Sequence, residues 1–355
     1  MFTPIFHGQN RAALNVYFNP PIDSISRYWS DIFISEDGKY ITATTMSPSI
    51  PNNQIYTSND YGSTFVETKR MNSHQTGGVD GLGFSCVNGS NNGKFQMVSG
   101  NHTMVLKSND YGNTWIQDTV LGIQNWNDFY ISDDGLLRYA LEPGGFWKSV
   151  NGGLSWIKSM DDITDLDIKF SSSSNGQYIT IVGKSYYNSS KYLPAIYISD
   201  DYGESFTLIG VNYTDTLQTQ HIAISSSGQF QVWSRSDVPD IGTATNQLFV
   251  SNDYGKNWIN RISESGGNYI GGLQISHNGD YILATIPNLN KNISSTDFGL
   301  TFSLTTSITG SENSDWKIAS KIPKMQVFHM GSNAENWIYV STNYGVSVNA
   351  TGPTS

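Results

Sequence analysis

Three carboxylates and one imidazole stand at a recurring place in the chain. Asp31, Asp128, Asp167 and His221 each lie four residues ahead of a serine (Ser35, Ser132, Ser171 and Ser225) that ends a short apolar run. Gly81, Gly272 and Trp316 hold the same place in three further repeats. If the repeats close into a ring, these side chains meet around one opening. Acids clustered there can bind a cation, orient a polyol, or act as an acid and base pair, with Asp31, Asp128 and Asp167 as the catalytic candidates. The plainer role is to cap solvated strand ends around a water-filled channel.

A second set of residues suits recognition. His74, Tyr186, Tyr187, Tyr192, Tyr213 and Arg235 fall in variable stretches, among them 68–80, 183–195, 209–220 and 234–246. With His221 they are the ligand-binding candidates. A tyrosine offers a flat apolar face and a polar tip, which fits a sugar ring or a protein surface. Other chemistry is thin. The histidines show no H-E-x-x-H spacing, so no resident metal is expected. Gly77-Gly78 and Gly266-Gly267 lack the lysine and helix start of a phosphate loop. Cys86 is the only cysteine and sits in an apolar run, as a packed core thiol would.

What must position these residues is a phrase that returns along the chain. It reads SNDYGSTF at 58–65, SNDYGNTW at 108–115, SVNGGLSW at 149–156 and SDDYGESF at 199–206. It returns as SNDYGKNW at 251–258, STDFGLTF at 295–302 and, worn, STNYGVSV at 341–348. The period is about 47 residues, within the range of stacked or radial repeats. Asx can fold back onto nearby backbone N–H groups, Gly can take positive φ, and the following aromatic opens a strand. The Asx positions Asp60, Asp110, Asn151, Asp201, Asp253, Asp297 and Asn343 recur in every repeat, so their role is structural. A second turn, Asx-Gly as in Glu36-Asp37-Gly38 and Asn175-Gly176 or Ser227-Gly228 in the fifth repeat, precedes each phrase until the seventh repeat, which has Lys321-Ile322-Pro323 instead. Asx-Gly between apolar runs marks a hairpin.

The phrase S-x-D-x-G-x-T-[WF] resembles the Asp-box, or BNR repeat, of sialidase-like β-propellers. The resemblance spans roughly 29–350. It implies an all-β fold, a seven-bladed propeller with four-stranded antiparallel blades. The expected organisation is one propeller over 29–355, with 1–28 as an arm that closes the ring or packs on it. The first strand of each blade should line the channel, and both regular turns should lie on one face. The longer loops then share the other face, where function on a repeat scaffold tends to sit.

The motif is shared by sialidases, receptors related to sortilin, xyloglucan hydrolases and a photosystem assembly factor, so it implies architecture more than activity. Sialidases use an arginine triad, a Tyr–Glu nucleophile and an Arg-Ile-Pro signature. This sequence has six arginines and no Arg-Ile-Pro. Lysine cannot replace the bidentate fork that clamps a carboxylate. Xyloglucan hydrolases use a cleft between two propellers, and one fits here. The expectation is therefore a non-enzymatic scaffold that recognises a protein or glycan. A glycan-active hydrolase using the acids at the channel mouth is the alternative, and a structural part of a larger assembly such as a virus particle is a third.

The net charge of −10 is wrong for gripping a nucleic-acid backbone or an anionic membrane. No apolar run approaches membrane-spanning length, and no secretory signal is visible. With a single cysteine, a cytoplasmic or virion location is expected. No cofactor is expected beyond a cation at the channel mouth.

Overall fold

The computed structural model describes residues 29–45, 52–62, 64–72, 83–100, 103–161, 168–188, 191–210, 217–237, 245–265, 270, 272–286, 291–305, 316–319, 326–330 and 338–341. The arm at 1–28 and Asn343 of the seventh phrase lie outside them. Among the described residues every regular element is a β-strand, and no helix is long and apolar enough to cross a membrane. The strands form seven sheets. Six are four-stranded antiparallel meanders in chain order, and the last has three described strands, Trp316–Ala319, Gln326–Met330 and Ile338–Ser341.

The first strands are Trp29–Ile34, Phe84–Gly89, Asp128–Ile131, Lys169–Ser172, Leu217–Ile224, Gly272–Ile275 and Trp316–Ala319. Each touches the first strand of the next sheet, and the seventh touches the first. The core lies between neighbouring sheets. Val182 and Ile196 of the fourth, for example, pack on Trp233 and Phe249 of the fifth. The Trp233 and Phe249 rings stack at 5.1 Å, an arrangement worth about 1 kcal/mol beyond the buried area.

The Asp-box is a closed hydrogen-bonded cap. In the fifth sheet Asp253 Oδ1 accepts from Ser251 Oγ at 2.8 Å and from the Asn257 amide at 2.9 Å. Its Oδ2 accepts from Asn257 Nδ2 at 2.6 Å, and Ser251 Oγ accepts from the Gly255 amide at 3.0 Å. These bonds hold the aromatic between Asp and Gly in the left-handed region, at φ 61–63° for Tyr61, Tyr111, Tyr202, Tyr254 and Phe298. Bulky side chains seldom adopt that conformation. Asp253→Ala removes three accepted bonds and leaves the strained turn unsupported. It should cost about 1–2 kcal/mol, read from the urea midpoint; an unchanged midpoint would show that the cap does not brace the turn.

The two turns of each of the first six sheets share one face, as expected. The Tyr254 amide donates to Gln229 O at 3.1 Å and the Tyr111 amide to Lys94 O at 3.0 Å, joining box to hairpin turn. Successive hairpin turns are also joined. Tyr130 Oη donates to Ser174 O, the Ser174 amide to Ser226 O and the Ser226 amide to His277 O. His277 Nδ1 lies 2.9 Å from Glu36 Oε1, the Glu36 amide donates to Asn91 O, and the Asn92 amide donates to Asp133 Oδ1. This belt links the turns of six sheets and steps directly from the sixth to the first. It fixes the first strands around the space they enclose.

Candidate functional site

That space is a channel of about 280 Å³, walled by the first strands of the first six sheets. Its polar ring differs from the sequence expectation in two sheets. The serine that closes each hairpin turn is identified by its bonds. Ser35, Ser132 and Ser225 donate to Tyr40 O, Leu137 O and Phe230 O, and the matching residues are Ser90, donating to Phe95 O, and Ser173, donating to Tyr178 O. Ser85 and Ser171 are not turn serines. Four residues before the true serines stand Asp31, Cys86, Asp128, Lys169, His221 and Gly272. Lysine replaces Asp167 in the ring, and Cys86 replaces Gly81. Asp167 and Gly81 lie outside the described residues.

The ring is therefore of mixed charge. Asp31 Oδ2 accepts from the Val87 amide of the second sheet at 2.9 Å. Asp128 Oδ1 accepts from the Phe129 amide at 2.8 Å and from Asn88 Nδ2 at 3.3 Å. Burial pushes the Asp128 carboxyl up to about 6, and the nearby Asp31 charge adds to the rise. The Lys169 charge and both hydrogen bonds oppose it. Lys169 and His221 line the channel wall, each partly exposed. Cys86 is buried, with Sγ 3.4 Å from Trp126 O and 3.5 Å from Ser99 O. Burial raises its thiol pKa, so it is a packing residue rather than a nucleophile. No three His, Cys, Asp or Glu side chains among the described residues lie close enough to hold a metal ion.

The recognition candidates are dispersed. Tyr186, Tyr187 and Tyr192 belong to strands, Ile179–Asn188 and Lys191–Ser199, with Tyr186 opposite Tyr192, and not to a loop. Their hairpin extends the second and third strands of the fourth sheet. Arg235 also corrects the expectation. It sits in the strand Gln231–Asp237 at 1% exposure, its Nε donating to Gln247 Oε1 at 2.6 Å and its guanidinium over the Phe249 ring at 5.1 Å. A ligand cannot reach it as a surface cation. Tyr213 and His74 lie outside the described residues.

One surface feature escaped the motif reading. In the third sheet Leu136, Val150 and Leu154 are 53%, 65% and 77% exposed. The position of Leu136 holds Lys39, Lys94, Gln177, Gln229 or Asp280 in the other sheets. That of Val150 holds Asn59, Asn109, Asp200, Asn252 or Thr296. Leu154 has apolar counterparts in Leu300 and, in the seventh phrase, Val346, the others being Ser63, Asn113, Glu204 and Lys256. The Gly152 amide donates to Leu136 O at 2.9 Å, which holds the three on one corner of the turn face. Ile157, 72% exposed, follows on the outer strand. Comparing the seven phrases position by position would have revealed it.

The BNR-Asp box repeat family matches residues 248–262, which contain the fifth phrase. Among solved structures the chain is similar to "YCF48 bound to D1 peptide", with TM-score 0.62 and 12% identity over 89% of this chain and 93% of that chain. It is similar to hydrazine synthase of Kuenenia stuttgartiensis, with TM-score 0.61 and 12% identity over 90% and 94%. The complex of KlAtg21 with the coiled coil of AgAtg16 gives TM-score 0.61 and 11% identity over 91% and 98%. At these identities the likeness is one of fold, a β-propeller. Among curated protein sequences none matches.

Proposed function

We propose that this β-propeller with Asp-box repeats is a non-enzymatic scaffold, a ring of seven blades that binds a protein partner. The observation that carries the proposal is the apolar corner of the third sheet, where Leu136 and Val150 stand in place of residues that are polar in every other described sheet. Exposed apolar side chains clustered on a polar surface mark interaction sites. The corner is edged by exposed Asp133 and Asp134, and Glu204 faces it from the next sheet through its pair with Lys148. With a chain charge of −10, the fitting partner segment is aliphatic and basic. A propeller bound to a peptide and another bound to a coiled coil, both similar in fold, support a protein partner. The hydrolase reading has less behind it. Both described acids already accept backbone amide bonds, and an ammonium joins them in the ring.

The test places a photo-crosslinking residue at position 154 and identifies the protein captured in the native host. That protein is then titrated against purified wild type and the Val150→Asp/Leu154→Asp variant. A loss of affinity of at least about tenfold is expected, equivalent to about 1.4 kcal/mol. Equal affinity for the folded variant overturns the proposal, as does turnover of a fluorogenic glycoside that is lost in Asp31→Asn.

A further inference from the structure

We propose that the central channel binds a small zwitterion of the amino-acid type, its ammonium on the Asp31 and Asp128 side and its carboxylate on Lys169. The starting point is the order of charge around the ring. Sheets one and three present carboxylates, and sheet four presents an ammonium at the equivalent level. Opposite charges are thus gathered on one wall of the channel, with Asn88 and Asn127 nearby as neutral donors and acceptors.

The second observation is that the Lys169 ammonium and the Asp128 carboxylate do not meet. No hydrogen bond or ion pair within 4.0 Å reaches the Lys169 ammonium among the described residues. Yet Lys169 and Asp128 feel one another, because the lysine charge opposes the rise of the carboxyl. Among the described residues the partly exposed Lys169 ammonium thus lacks an ion-pair partner, and the Asp128 carboxyl has its hydrogen bonds from Phe129 and Asn88 but no cation in contact. Folding alone would favour closing the gap or replacing both groups by apolar ones. A ligand with a positive and a negative end fills the gap and satisfies both.

Size narrows the class. A space of about 280 Å³ is at the lower edge of ordinary ligand sites, which suits a single amino acid better than an oligosaccharide. A lone metal ion would leave Lys169 unmatched, and a lone anion would face two carboxylates. This inference stands apart from the docking corner on the outside of the third sheet.

Isothermal titration calorimetry on the full chain tests it, with glycine, alanine, serine, leucine and glutamine as probes. Each is compared with its N-acetyl derivative, its carboxamide, and calcium chloride alone. At least one free amino acid should bind, and blocking either end should weaken it at least about tenfold. Lys169→Met and Asp128→Asn should each weaken it by a similar factor, with thermal melts confirming that both are folded. Asp128→Asn retains the acceptor for the Phe129 amide, so it serves as the variant expected to fold. The inference is overturned if no probe binds the folded protein, if a blocked derivative binds as tightly as the free amino acid, or if calcium alone binds and depends on Asp128.

Discussion

Gly228→Ala should destabilise the protein by about 2–4 kcal/mol. Gly228 closes the hairpin turn of the fifth sheet at φ 84°, a conformation that costs an L side chain about 1 kcal/mol. A Cβ there would lie 2.6 Å from the Tyr178 ring of the fourth sheet. The Tyr254 ring of the fifth Asp-box packs against Tyr178, centroids 4.4 Å apart and planes tilted by 34°, and hinders its retreat. The arrangement repeats. Gly93 meets Tyr40, Gly135 meets Phe95, Gly176 meets Leu137 and Gly279 meets Phe230. Each turn glycine is thus the seat for a side chain of the preceding sheet, and the clash would force neighbouring blades apart. Gly122 is the control. It has φ 72° with nothing within 4 Å of the added methyl, so Gly122→Ala should cost only about 1 kcal/mol. Urea unfolding of the two variants side by side decides it: equal costs would mean that glycine is required there for backbone freedom alone.

The sequence shows the repeat, the turn chemistry and the shared face of both turns, because each depends on short-range rules that hold in every copy. It does not show which side chains meet in the channel, because that depends on register. Ser171, Ser172, Ser173 and Ser174 are four adjacent candidates for one turn serine, and only the bond from Ser173 to Tyr178 O selects among them. A two-residue slip there exchanged Lys169 for Asp167 and turned a ring of mixed charge into one of acids. In the second sheet the slip was five residues, since Ser85 and Ser90 both end apolar runs. Arg235 misled for a different reason. An arginine beyond an apolar strand reads as a loop cation, but its stem and planar head can lie over an aromatic ring inside a long hairpin. The left-handed aromatics were also hidden, since no propensity rule places tyrosine at φ near 62°. The third phrase holds the one hint: Gly152 replaces the aromatic at that position, at φ 72°.

Asp128→Asn should make the protein more stable at pH 8, by up to about 3 kcal/mol, while leaving it unchanged at pH 4. An unfolded aspartate titrates near pH 3.9, and burial carries Asp128 up to about 6 in the fold. The native state therefore holds this proton more tightly than the unfolded chain. Stability from this group is complete below about pH 4, declines as pH rises to about 6, and is level above that. Asparagine cannot ionise, so the variant escapes the decline while its Oδ1 still accepts from the Phe129 amide. The Asp-box carboxylates act in the opposite sense. Hydrogen bonds from Thr301, Ser295 and the Thr301 amide lower Asp297 to about 2, and the box bonds also hold Asp110, Asp201 and Asp253 below the usual range. Their contribution is present above about pH 4 and is lost as pH falls toward 2. Wild type should thus be most stable near pH 4 and lose stability from there to about pH 6, and the variant should hold the maximum to neutral pH without altering the acid limb. Urea midpoints from pH 2 to 8 test both limbs. A variant no more stable than wild type at pH 8 would mean that water in the channel already solvates the Asp128 charge. A stabilised variant would mark the carboxylate as a liability to folding, kept for something other than the fold.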